Sequence, residues 1–98
     1  MNNIFQTLLY QREKQKGTVL ATIVWDDGSA PRGAGSQMLV GAEGLLSGTI
    51  GGGAVELRSI QLARALLAGQ HVDALYDFKL SRDGELGMAC GGDVTVYF

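Results

Sequence analysis

GTIGGGAVE, residues 48–56, is the stretch that decides the fold. The apolar run at residues 45–50 ends in three consecutive glycines, and a run with helical apolar spacing begins directly after them at Ala54. A change from a strand pattern to a helix pattern within so few residues predicts a tight strand-to-helix turn. The turn indicates a fold in which helices pack on a sheet.

The residues before this turn predict one helix and three strands. Residues 3–15 carry the apolar stripe of a helix, which stops near Gly17. Residues 18–25, TVLATIVW, are apolar on both faces and β-branched, so we expect a strand covered on both sides. Residues 36–40 and 45–50 predict a hairpin across residues 41–44. The helix stripe consists of Ile4, Phe5, Leu8 and Leu9.

The residues after the turn predict one more helix and two strands. Residues 54–68 predict a helix that stops at Gly69, and residues 72–80 alternate as a strand with one wet face. Residues 81–92 predict a loop, and residues 93–98 a last strand with Val94, Val96 and Phe98 facing inward. The expected order is α-β-β-β-α-β-β in a single domain, residues 1–98. The fold class is mixed α/β or α+β, with two helices on one sheet of about five strands.

The composition limits the possible functions. A net charge of −2 over 98 residues leaves no basic surplus for nucleic acid or an anionic membrane surface. No apolar run approaches the ~20 residues that span a bilayer, and the first 16 residues do not resemble a secretory signal. The single cysteine excludes an internal disulfide and favours a reducing cytoplasm. The fifteen glycines cluster, chiefly in three loops.

The middle loop predicts an anion cradle formed by Gly51, Gly52 and Gly53. Free backbone N–H groups and the positive end of the following helix face such a turn. The pattern is neither a P-loop nor G-x-G-x-x-G, and a purely structural turn is an equal alternative. Glu56, in the first helical turn, is expected to cap the loop amides, with a role as a base or ligand as the alternative.

The first loop, GSAPRGAG at residues 28–35, contains Ser29 and Arg32. The guanidinium of arginine presents a rigid fork suited to phosphate or carboxylate, and Pro31 stiffens the loop around it. The alternative is an exposed surface arginine. The third loop, GMACGG at residues 87–92, contains Cys90, whose thiolate form the amides of Gly91 and Gly92 would favour.

Cys90 also has a structural alternative, because free cysteine is often a small buried hydrophobe. His71 is the only histidine, and it lies in a turn where we expect a surface residue. The sequence therefore shows no histidine placed to activate the thiol, and a Cys-His hydrolase is disfavoured.

The three loops in this order resemble one family. GSAPRGAGSQML, GTIGGGAVE and GMACGGDVTV look like the N-terminal domain of the XdhC/CoxI family, over roughly residues 4–98. Members are accessory proteins of xanthine dehydrogenase and related molybdenum hydroxylases. The resemblance implies a chaperone that binds molybdenum cofactor, protects it during sulfuration and helps to insert it into the apo-enzyme.

The resemblance also implies site residues and partners. Cys90 is expected to contact molybdenum or its sulfur ligand. Expected partners are a xanthine dehydrogenase-type apo-enzyme, a cysteine desulfurase, a separate Rossmann-like chain and a second copy of the domain. The cofactor-binding set is Ser29, Arg32, Gly51, Gly52, Gly53, Glu56, Cys90, Gly91 and Gly92.

Two departures from the family pattern bear on these expectations. Ala54 stands where many relatives carry a cysteine, which places any role for two thiols in doubt. The family's Rossmann-like C-terminal domain has no counterpart in these 98 residues, so we expect a short form or one half of a split protein. Two other functions stay open. One is a non-catalytic interaction or oligomerisation module with structural glycines, and the other is a small sulfur-transfer enzyme using Cys90.

Overall fold

The computed structural model describes residues 4–26, 33–78 and 94–98. This part of the chain forms two helices and five strands, and it confirms the predicted α+β class and element order. The elements are α1 (Ile4–Glu13), β1 (Thr18–Asp26), β2 (Gln37–Gly41), β3 (Gly44–Gly48), α2 (Gly53–Leu67), β4 (Leu75–Phe78) and β5 (Val94–Tyr97).

The five strands form one antiparallel sheet in the order β3-β2-β1-β5-β4. Because every neighbouring pair is antiparallel, successive strands begin and end at alternate ends of the sheet. β1, β3 and β4 therefore finish at the same end at which β2 and β5 start. We call this the loop end of the sheet; it is marked by Asp26, Gln37, Gly48, Phe78 and Val94.

The main core lies between α2 and one face of the sheet. Inward-facing residues alternate along the strands, as in Ala21 and Ile23 of β1, and they pack with the buried side of α2. The predicted inward set of the last strand is confirmed, because Val94 and Val96 are buried and Phe98 packs against them. The cluster consists of Ala21, Ile23, Met38, Val40, Ile50, Val55, Leu62, Ala63, Phe78, Val94 and Val96.

The second face of the sheet is only partly covered. α1 packs against β2 and β3, where Leu39 is fully buried. The expectation that residues 18–25 are covered on both sides is wrong at their C-terminal end, where Val24 is 47% exposed and Trp25 50% exposed. A register shift between Ile23 and Trp25 lies at the same point of β1. The physical reason is that, among the described elements, α1 packs chiefly on β2 and β3, toward the β3 edge of this face.

Several predicted boundaries differ by a few residues from the observed ones. β3 ends at Gly48, because Thr49 and Ile50 turn toward the start of α2. β4 begins at Leu75 and not at residue 72. The stripe on α1 is half exposed, since Phe5 and Leu9 each keep 57% of their surface in water. Neither described helix combines the length and apolar character that a membrane crossing requires.

Candidate functional site

The described residues that flank the three glycine loops in sequence lie at the loop end of the sheet. The first loop leaves from Asp26, and the third loop returns at Val94, which is the register partner of Asp26. Phe78, the last described residue before the third loop in sequence, also pairs with Val94. The middle loop starts beside β2, because Thr49 N donates to Gln37 O over 3.1 Å. The topology therefore attaches all three loops to one edge of the molecule.

Asp26 ties down the returning end of the first loop. Its Oδ2 accepts a hydrogen bond from Ala34 N at 2.7 Å, and a Cβ added to Gly33 would lie 3.2 Å from the same oxygen. Gly35 N donates to Ile23 O over 2.7 Å, which holds the turn against β1. Asp26 was not among the residues predicted for the site. An aspartate directly before a glycine-rich turn is the signal that was available, because its carboxylate commonly bonds nearby backbone amides.

The middle loop closes on the carboxylate of Glu56. One oxygen, Oε1, accepts hydrogen bonds from Thr49 Oγ1 at 2.5 Å, Ile50 N at 3.1 Å and Gly52 N at 3.2 Å. The amide of Gly51 donates in turn to Thr49 Oγ1 over 3.0 Å. The predicted capping of the loop amides by Glu56 is confirmed. Thr49 belongs to the same network, although it was not among the residues predicted for the site.

Three successive positive φ angles give the middle loop its shape. They are 117° at Gly51, 73° at Gly52 and 65° at Gly53, a region that side chains with a Cβ rarely adopt. A Cβ added at Gly52 or Gly53 would meet no atom within 4 Å. Gly52 and Gly53 are therefore required by conformation and not by crowding. They leave bare backbone facing open space at the start of α2.

The predicted site residues divide into two groups. Gly51, Gly52, Gly53 and Glu56 lie together at the loop end, where Gly52 N donates to Glu56 and Gly51 N donates to Thr49. Ser29, Arg32, Cys90, Gly91 and Gly92 lie outside the described residues, and their roles stay predictions. Within residues 4–26, 33–78 and 94–98, no three His, Cys, Asp or Glu side chains come together as a metal site.

Two shallow clefts lined by described residues lie at the opposite end of the sheet. One, of about 450 Å³, is lined by the end of α2 and by Ala42, whose carbonyl accepts a hydrogen bond from Arg64 Nε. A second, of about 340 Å³, lies beside Lys16 and Glu43. His71 is a surface residue as predicted, with 89% of its side chain exposed beside Asp73. None of these features adjoins the glycine loops.

Comparisons with known proteins define the class of this chain. The model of the XdhC and CoxI family matches residues 11–78, a range that includes the turn of the middle loop and the capping Glu56. The chain belongs to the XdhC and CoxI family. The predicted family resemblance is thereby confirmed.

Two relatives show how the domain occurs in longer proteins. One is 36% identical over 97% of this chain and is named uncharacterized protein YqeB, from Escherichia coli strain K12. The other is 35% identical over 99% of this chain and is named as a probable xanthine dehydrogenase subunit, from Bacillus subtilis strain 168. The chain spans 18% of the first relative and 30% of the second. No solved structure matches it.

Proposed function

We propose that this chain is an accessory domain of a xanthine dehydrogenase-type molybdenum hydroxylase, which holds molybdenum cofactor during sulfuration and insertion into the apo-enzyme. Membership of the XdhC and CoxI family supports an accessory role. The relative from Bacillus subtilis, whose name places it in a xanthine dehydrogenase, supports the choice of enzyme class. Docking on the partner enzyme and binding of the cofactor are both parts of this proposal.

One observation carries the assignment of the site. The strand order brings the described residues that flank the three glycine loops to one end of the sheet, next to the N-terminus of α2. Loops placed by a rigid sheet are a common location for ligand sites. Because these loops hold the residues that resemble the family motifs, we place the cofactor at the loop end.

The described residues suit a flat part of the cofactor and do not suit its phosphate. The bare backbone at Gly52 and Gly53 allows a flat group to approach closely, since no atom would lie within 4 Å of an added Cβ. The amides of Ile50, Gly51 and Gly52 already donate inside the protein, so they do not supply a phosphate cradle. The bound cofactor would contribute a molybdenum centre with an exchangeable sulfur ligand, while the chain would hold and shield it.

The other proposed contacts with the cofactor are made by residues of the first and third loops. Arg32 and Ser29 are proposed to bind the anionic group of the cofactor, because a guanidinium and a hydroxyl are suited to phosphate. Cys90, with the amides of Gly91 and Gly92, is proposed to face the metal or its sulfur. A cysteine desulfurase and a separate Rossmann-like chain remain proposed partners for sulfur supply and for completion of the site.

The proposal is tested by cofactor retention. The purified chain is incubated anaerobically with molybdenum cofactor released from a molybdenum hydroxylase, and molybdenum co-eluting with the protein is counted by mass spectrometry. Gly52→Ala is compared with Gly69→Ala, because both glycines have φ near 80° (73° and 87°) and open space around an added Cβ. Only Gly52 lies at the loop end, while Gly69 follows α2 at the opposite end of the sheet.

We expect the wild type and Gly69→Ala to retain equal amounts of cofactor, and Gly52→Ala to retain several-fold less. Absence of co-elution with the wild-type chain, both alone and with a Rossmann-like partner chain, would contradict the proposed function. Equal losses in the two glycine variants would show that general destabilisation and not the loop determines retention.

A second candidate function is an oligomerisation module, and the uncovered sheet face favours it. We define the open sheet face as Val24, Trp25, Leu75 and Tyr97, each between 47% and 59% exposed. Tyr97 is the register partner of Leu75, and Trp25 is the partner of Thr95 two residues away, so the patch is continuous. The contiguous apolar side chains give it an interaction surface larger than scattered exposed residues provide.

The occupant proposed for the open sheet face is a second copy of this chain. The four side chains of the patch carry no charge, and Asp77 beside them accepts a hydrogen bond from Thr95 Oγ1, so two copies can meet through apolar side chains. Four half-exposed large side chains offer roughly 400 Å², about half of the area that a stable partner surface buries. We therefore expect a weak, concentration-dependent dimer.

A further inference from the structure

The network around Glu56 determines what kind of group the middle loop accepts. Three donors converge on one carboxylate oxygen, from the hydroxyl of Thr49 and the amides of Ile50 and Gly52. Three hydrogen bonds use the accepting capacity of one oxygen that already has a covalent bond to carbon. The position at which a loop of this kind would hold a phosphate oxygen is therefore filled from within.

The charge of Glu56 adds to this steric occupancy. Its carboxylate lies in the first turn of α2, where a negative charge offsets the positive end of the helix dipole. An external phosphate at Gly51–Gly53 would have to displace this carboxylate or lie within a few ångströms of it. Like charges at that separation repel strongly at a partly buried site.

We infer that Glu56 is a specificity-determining residue, which acts as the built-in anion of the middle loop and excludes an external phosphate from Gly51–Gly53. The loop then presents only the bare backbone of Gly52 and Gly53 to a ligand, which suits an uncharged, flat part of it. The identity of that ligand rests on the proposed function, whereas the exclusion of phosphate does not. The negatively charged end of the cofactor would consequently be directed away from this loop.

The test removes the carboxylate of Glu56 and supplies inorganic phosphate as a replacement anion. Wild type, Glu56→Ala and Glu56→Gln are titrated with inorganic phosphate, with chloride at equal ionic strength as the control. The readouts are the ¹⁵N–¹H resonances of Ile50, Gly51 and Gly52 and the melting temperature. Glu43→Ala is the matched control, because Glu43 is an exposed glutamate in the β2–β3 turn at the opposite end of the sheet.

We expect phosphate to shift the loop resonances of Glu56→Ala and to raise its melting temperature, with an affinity at least about tenfold higher than for the wild type. Glu56→Gln should respond less than Glu56→Ala, because its side chain still fills the space without the charge. Wild type and Glu43→Ala should respond no more to phosphate than to chloride.

Two results would overturn the inference. One is a saturable phosphate response of the wild-type loop amides. This result would contradict the exclusion of phosphate even if Glu56→Ala does not fold. The other is the absence of any phosphate response in the folded Glu56 variants. Neither measurement uses molybdenum cofactor. A negative result in the retention assay would therefore not contradict this inference, and a negative result in the phosphate titration would not contradict the proposed function.

Discussion

Thr49 and Glu56 are joined by a hydrogen bond of 2.5 Å from Oγ1 to Oε1, which links the end of β3 to the first turn of α2. The same hydroxyl accepts a hydrogen bond from Gly51 N, so it donates one hydrogen bond and accepts another. The strand-to-helix turn is thus held by two side chains seven residues apart. Its glycines supply the conformation, and Thr49 and Glu56 hold it in place.

Thr49→Val tests the contribution of this hydroxyl. Valine keeps the branched shape but neither donates to Glu56 nor accepts from Gly51 N, so a partly buried carboxylate loses a donor. We expect the free energy of unfolding to fall by about 2 kcal/mol, measured by urea denaturation. Thr95→Val is the matched control, because it removes one exposed hydrogen bond to Asp77 and should cost less than about 1 kcal/mol. Equal losses in the two variants would contradict the prediction.

Gly48→Ala tests the tight approach of β3 to β2 and α1. The φ angle at Gly48 is 82°, and an added Cβ would lie 2.4 Å from the carbonyl oxygen of Gln37 and 2.7 Å from Ile4 Cδ1. The left-handed backbone costs about 1 kcal/mol and the overlap adds about 2, so we expect a loss of about 3 kcal/mol. Thermal unfolding followed by circular dichroism provides the measurement.

The control for Gly48 is Gly69→Ala. Its φ angle of 87° is close to that of Gly48, but no atom lies within 4 Å of an added Cβ. It should therefore show the backbone cost alone, about 1 kcal/mol. A loss as large as that of Gly48→Ala would show that the contact with Gln37 and Ile4 has no separate effect.

Phe78→Ala tests the core under α2. Phe78 is fully buried in β4 and lies beside Tyr76, with ring centroids 4.8 Å apart. Truncation leaves a cavity that a small domain cannot easily close, so we expect a loss of roughly 3–5 kcal/mol in chemical denaturation. Leu75→Ala in the same strand removes a side chain that is 59% exposed and should cost less than about 1 kcal/mol. Similar costs at the two positions would argue against the assigned faces of β4.

The open sheet face is tested by self-association. The double variant Trp25→Thr with Tyr97→Thr removes the two aromatic side chains while keeping residues that favour strands. Sedimentation velocity over a concentration series should show a monomer–dimer equilibrium for the wild type and a monomer for the variant. Leu57→Gln is the control, because Leu57 is 60% exposed on α2, across the sheet from this face. A monomeric wild type at all concentrations would disprove the proposed dimer.

The sequence by itself determined the elements and their class, because strand and helix periods are local properties. The alternation through Tyr76 and Phe78 and the glycine turn before α2 could be assigned from spacing and from the conformational freedom of glycine. The capping role of Glu56 was also predictable, since its position in the first helical turn places it beside the loop amides. These features depend on residues within a few positions of one another.

Only the tertiary structure decided which elements are neighbours. The order β3-β2-β1-β5-β4 depends on pairing between strands far apart in the chain, and it brings Asp26 beside Val94 across 68 positions of sequence. α1 packs over β2 and β3, and it left Trp25 on the same face half exposed although the apolar pattern of β1 predicted burial. Apolar patterns record a preference for burial, but the number of helices available to cover a face is a property of the whole molecule.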